Sequence, residues 1–101
     1  MRLTHTEQHI LKQTAEECFA PGVGVRLFGS RAGDTARGGD IDLLIEVAIK
    51  NPADIVRAQT VFMARLLNRL GDRKVDVLVD YPGRKTHPPI FEVARREGIP
   101  L

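Results

Sequence analysis

One cysteine, Cys18, is too few for an internal disulfide or a cysteine-based zinc site, so neither can hold this chain together. No apolar run approaches the ~20 residues of a membrane-spanning helix. The longest, Ile41 to Val47, is interrupted by Asp42 and Glu46. The opening residues, Met1-Arg2-Leu3-Thr4-His5, lack the apolar stretch of a signal peptide, and the expected location is the cytoplasm. Charge imbalance is small as well. With 15 basic and 13 acidic residues, a net charge of +2 names no polyanionic partner. Aromatic residues are 5% of the chain, and none is interleaved with Arg57, Arg65 and Arg69 on the long central segment. That spacing suits a solvated helix face, with a partner or RNA surface as the lesser alternative, and direct nucleic-acid binding is not expected. What remains, 43% hydrophobic and 28% charged over 101 residues, is the balance of one soluble globular domain, 1–101, and not of a disordered segment.

The hydrophobic period alternates between helix and strand. Thr4 to Ala20 carries Ile10, Leu11, Ala15, Cys18 and Phe19 near the helical repeat, and Pro21-Gly22 stops it. Val23 to Phe28 reads as a strand with Val23, Val25 and Leu27 on one face. A glycine-rich charged connection, Gly29 to Gly39, follows. The clearest strand comes next: Ile41, Leu43, Ile45 and Val47 alternate with Asp40, Asp42, Leu44 and Glu46, which predicts one buried face. Asn51-Pro52 supplies an N-cap and a first-turn proline for a helix to about Leu70. Its apolar stripe is Ile55, Val56, Phe62, Met63, Leu66, Leu67 and Leu70, and Gly71 closes it. Lys74 to Val79 is a third strand, Pro89 to Glu97 a last helix, and Ile99-Pro100-Leu101 an apolar tail that packs on the sheet or meets a partner. This order predicts an α/β or α+β domain with a small three-stranded sheet and packed helices. Pattern alone leaves the strand directions open.

Asp40 and Asp42 stand two apart on a strand, so their side chains leave one face, opposite Ile41 and Leu43. Asp76 likewise points away from Val75 and Val77. If these strands are neighbours, three carboxylates converge. Such a group repels itself unless a positive charge sits among them, and hard divalent cations are the natural partner. Aspartates at strand starts also serve as turn formers or solvated edge residues. Asp76, however, interrupts a strongly β-forming run, where a carboxylate is otherwise unfavourable.

Leu27-Phe28-Gly29-Ser30-Arg31 ends a strand in a turn whose backbone N–H groups suit a phosphate, with Arg31 and Arg37 nearby. It is not a Walker A loop, because Gly-Lys-Ser/Thr is absent and the glycine spacing differs. A Gly-Ser pair by itself is more often a plain turn. Ten residues separate Ser30 from Asp40, enough for the turn and the carboxylates to face one another across a cleft.

The composite of Gly29-Ser30-Arg31-Ala32, Gly39-Asp40-Ile41-Asp42-Leu43 and Val75-Asp76-Val77 resembles the signature of the polymerase-β nucleotidyltransferase superfamily. The chain length and the closing Ile90 to Leu101 segment resemble the minimal nucleotidyltransferases, the MNT group. The resemblance implies a polymerase-β-like core with a mixed sheet. It implies that Asp40 and Asp42 hold two Mg²⁺ ions, that Asp76 completes the ion activating the attacking hydroxyl, and that Gly29 and Ser30 hold the β- and γ-phosphates of a nucleoside triphosphate. Where many members have Ser before the first aspartate this chain has Gly39. Gly33 replaces a common basic residue, so Arg37 is expected to supply part of the phosphate charge. The implied reaction moves a nucleoside monophosphate, AMP from ATP, to an acceptor hydroxyl and releases pyrophosphate. The implied partner is a HEPN-domain toxin modified on tyrosine, with this chain as its antitoxin and a homo- or hetero-oligomer as its assembly. The alternative is a catalytically inactive module that neutralises a partner by contact.

His5 and His9, four apart on the first helix, lack an evident third ligand and fit a solvated helix face. His87 reads as a loop residue, and Cys18 as core.

Overall fold

The structure, a computed structural model, describes residues 3–28, 41–71 and 74–101. Helix α1 spans His5–Cys18, strand β1 Gly24–Phe28, β2 Ile41–Glu46, helix α2 Pro52–Leu70, β3 Val75–Asp80, helix α3 Pro89–Glu97 and β4 Ile99–Pro100. The strands form one mixed sheet in the order β3-β2-β1-β4. β1 is antiparallel to β2 and to β4, while β2 and β3 are parallel and joined through α2, as a crossover connection requires. The fold class is α+β, consistent with a polymerase-β-like nucleotidyltransferase core.

Local chemistry fixes the helix ends. Thr4 caps α1 in a reciprocal box: the Glu7 N–H donates to Thr4 Oγ1 at 3.0 Å, and the Thr4 N–H donates to Glu7 Oε1 at 2.9 Å. At α2, the Ala53 N–H donates to Asn51 Oδ1 at 2.9 Å and Pro52 occupies the first turn. Gly71 ends that helix at φ 81°, a left-handed value glycine tolerates best. Both α2 ends stand where the sequence places them.

The expected three-stranded sheet has a fourth strand. Ile99–Pro100 pairs with β1, Leu27 opposite Ile99 and Arg26 opposite Pro100, and the Leu101 N–H continues the contact to the Val25 carbonyl at 2.9 Å. Two residues carry no readable period, which is why the tail is not legible as a strand. Pro100 is tolerated because β4 is an edge. Gly98 makes the tight exit from α3 possible, since a methyl group there would collide with the Ala94 carbonyl.

β2 departs from expectation too. Its odd residues, Ile41, Leu43 and Ile45, pack under α1 and α2 with Leu11, Phe62 and Leu66 in the main core. Leu44 on the opposite face is also fully buried, in a second cluster with Phe28, Phe91 and Ala94 beneath α3. Both faces of β2 are therefore covered. On α2 the buried residues are Ile55, Phe62 and Leu66, whereas Val56 and Leu67, expected in the core stripe, are 64% and 59% exposed. They lie to one side of the helix, turned away from the core.

The arginines of α2 are not a free basic face. Glu17 on α1 holds Arg65 at 3.0 Å and Arg69 at 2.9 Å, and Arg69 Nη1 donates at 2.7 Å to the buried Thr14 hydroxyl. Arg57 pairs with Asp54 on its own helix. These bonds tie α1 to α2. Cys18 is half-buried against the core, in line with its reading as core, and burial pushes its thiol pKa up.

The hydrogen bond from Arg69, with Arg65 beside it, draws the Glu17 carboxyl below its ordinary 4.5. A lowered folded-state value favours the native state above the ordinary carboxylate range, and that contribution disappears as pH falls through the folded value. Thermal melts of Glu17→Gln and wild type should differ at pH 7, with the variant lower, and converge on acidification below 4.5.

Candidate active site

The parallel register of β2 with β3 sets Asp42 opposite Asp76, Leu44 opposite Leu78 and Glu46 opposite Asp80, all on the α3 face. One face of two adjacent strands thus carries two in-register carboxylate pairs separated by an apolar row. The pairs lie about 13 Å apart along the strands. Like charges placed directly opposite destabilise a sheet, so each pair needs an explanation.

Glu46/Asp80 has a structural one. Arg26 Nε, from β1, lies 3.2 Å from Glu46 Oε1, and Arg95, from α3, bridges Glu46 at 3.9 Å and Asp80 directly. His87 Nε2 adds a contact to Asp80 Oδ1 at 2.9 Å. Two arginines against two carboxylates balance this end of the sheet and seat α3 on it. The sequence signal for this clamp was the four-residue spacing of Asp42 from Glu46 and of Asp76 from Asp80, which puts each strand's acids on one face. The expectation of a loop role for His87 omits this contact, which its position in the chain gives no reason to foresee.

At the other end, Asp76 is exposed and makes no ion pair with any described residue, and Asp42 is half-buried beside it. Asp42 also faces Phe28, the last residue of β1. Phe28 and Ile41, which flank the connection 29–40, stand at this same end of the sheet. Of the expected site residues, the structure brings Asp42 and Asp76 together. Gly29, Ser30, Arg31, Arg37 and Asp40 lie outside the described residues, as do Gly33 and Gly39. Among the described residues there is no group of three His, Cys, Asp or Glu side chains that could hold a metal, and His5 and His9 are both exposed on α1. No described helix is long and apolar enough to cross a membrane.

Two carboxylates side by side, one of them open to solvent, are oxygen donors of the kind a hard divalent cation takes. The donor set fits such an ion. The family model of the nucleotidyltransferase domain matches residues 10–98, a span that includes both aspartates. The chain belongs to this nucleotidyltransferase family of the polymerase-β superfamily. No match is found among curated proteins. The family supports nucleotidyl transfer in general terms, the movement of a nucleoside monophosphate. The two acidic pairs thus differ: Arg26 and Arg95 clamp Glu46/Asp80, and Asp76 has no ion pair with any described residue.

Because Asp76 opposes Asp42 without stabilising the fold, Asp76→Asn should keep or raise the melting temperature in the presence of a chelator, by up to ~1 kcal/mol of relieved repulsion. The same change at Asp80, whose arginine would lose its partner, should lower it. Paired thermal melts in EDTA give both signs.

Proposed function

We propose that this chain is a Mg²⁺-dependent nucleotidyltransferase core that transfers AMP from ATP to a hydroxyl of a partner protein. The acceptor is a tyrosine of a HEPN-domain toxin, with this chain acting in the cytoplasm as the antitoxin. The observation that carries the reading is the register of Asp42 against Asp76 within a nucleotidyltransferase domain.

The roles follow from the chemistry of the residues. Asp40 and Asp42 would hold two Mg²⁺ ions, and Asp76 would complete the one nearer the acceptor. Bound there, Mg²⁺ would activate the acceptor hydroxyl and offset charge on the departing pyrophosphate. Gly29 and Ser30 would present N–H and hydroxyl donors to the β- and γ-phosphates, with Arg31 and Arg37 supplying positive charge. The acceptor oxygen bonds to the α-phosphorus as its bond to the pyrophosphate breaks. Asp76 stands on the edge strand and is exposed, so a protein-borne hydroxyl can reach it from outside the sheet. Asp42, half-buried between β1 and β3, would be one of the carboxylates that hold Mg²⁺.

Incubation with labelled ATP, Mg²⁺ and a HEPN-domain partner protein should place label on that protein. Asp42→Ala or Asp76→Ala should reduce labelling roughly hundredfold or more, since even groups that only orient metal ligands are commonly worth 10–100-fold. Neutralisation of the partner that persists in both variants, with no label transferred, would establish the contact-only module instead.

A further inference from the structure

Lys74 stands one residue before β3, and its carbonyl accepts the Ile41 N–H at 2.9 Å, so it continues the ladder with β2. Val75 is buried in the main core. Alternation therefore turns Lys74 and Asp76 to the other face, the one that carries Asp42. Lys74 and Asp76 also border a common cavity at the outer strand of the sheet. The two are neighbours on that face, about 6.6 Å apart along an extended chain.

Nothing among the described residues uses this lysine. It is exposed and makes no ion pair with any of them. Arg26, the other basic side chain of the sheet, is held by Glu46, and Arg95 and His87 are held at the same end by Glu46 and Asp80. Those groups lie about 13 Å away along the strands. The Asp42/Asp76 end thus has one ammonium of its own, on a flexible stem, and neither carboxylate in an ion pair with it.

Position across the sheet says what that ammonium faces. Gly29 and Ser30, proposed for the phosphates, follow directly on Phe28 of β1. β1 and β3 lie on either side of β2, about 9.6 Å apart. Lys74, at the start of β3, is therefore on the side of Asp42 away from β1, where Asp76 meets the acceptor. The acceptor oxygen gathers negative charge as it loses its proton, and two neighbouring carboxylates oppose that charge. A single exposed ammonium offsets it best for a phenol, whose pKa of about 10 already makes it the most acidic of the side-chain hydroxyls.

We propose that Lys74 is a catalytic residue of the acceptor side, its ammonium donating to the acceptor oxygen and stabilising it as an oxyanion during transfer. The assignment rests on the proposed function and adds to it a preference for a phenolic acceptor. The acceptor O–H bond breaks and its proton passes to water. The oxygen's electron pair forms the bond to the α-phosphorus as the bond to pyrophosphate breaks, and Lys74 stays charged throughout.

Label transfer to the HEPN-domain partner and Mn²⁺ affinity at low salt, both on the full chain, test this. Lys74→Gln should lower kcat roughly tenfold or more, with KM for ATP unchanged, whereas an enclosed oxyanion donor is worth roughly 10²–10³. Lys74→Arg, which keeps the charge, should recover most of the loss. Lys74→Gln should also tighten Mn²⁺ binding roughly two- to fivefold, because it removes a cation beside the carboxylates. Circular dichroism should show both variants folded. A kcat close to that of wild type, or an unchanged Mn²⁺ affinity, would overturn the assignment and leave Lys74 as a charge that blunts the sheet edge. A raised KM for ATP at constant kcat would overturn it too, by placing Lys74 on the phosphates. Wild type that transfers no label would instead overturn the proposed function, and the assignment with it.

Discussion

The in-register parallel pairing of β2 with β3 governs the molecule. It places Ile41, Leu43 and Ile45 beside Val75, Val77 and Val79 on one face, and Asp42, Leu44 and Glu46 beside Asp76, Leu78 and Asp80 on the other. A slip of β3 by one residue against β2 would turn Asp76 and Asp80 into the apolar core beneath α1 and α2, at a steep cost. The core thus enforces the register, and the register brings the acids together. The crossover helix α2 is what permits two parallel neighbours, and its ends are fixed by Asn51, Pro52 and Gly71. Site geometry and hydrophobic packing are one constraint seen from two faces of a sheet.

That constraint generates two acidic rows, and the protein treats them differently. Arg26 and Arg95 close the Glu46/Asp80 row and fasten α3 through the same contacts that cancel its charge. Asp76 keeps a solvent-facing carboxylate. Identical strand pairing therefore yields a structural clamp at one end and a solvent-facing carboxylate at the other, the end to which the proposed function assigns the reaction.

Much of this was legible from residue pattern. The alternation through Ile41–Val47 and Val75–Val79 gives both strands and the face of each aspartate, and the Gly-Ser with Asp-x-Asp composite points to the family that the domain match shows. Directions were not legible, because a two-residue period is the same whichever way a strand runs. The burial of Leu44 is not legible in the strand's alternation because it depends on where α3 docks. Hydrophobicity places Val56 and Leu67 in the core stripe because it marks an apolar surface without saying what covers it. Arg65 and Arg69 looked like a solvated face until Glu17 and Thr14, some 50 residues away in sequence, were seen to hold them.

Under the proposed function the Asp42/Asp76 end of the sheet, and not the Glu46/Asp80 end, takes a divalent cation. Paramagnetic broadening of backbone amide signals by Mn²⁺ separates the two directly. Broadening should begin at Phe28, Ile41–Leu43 and Val75–Val77 and vanish in Asp76→Asn, with Glu46 and Asp80 affected last. Broadening that starts at Glu46 and Asp80, or that is unchanged in Asp76→Asn, would contradict the account.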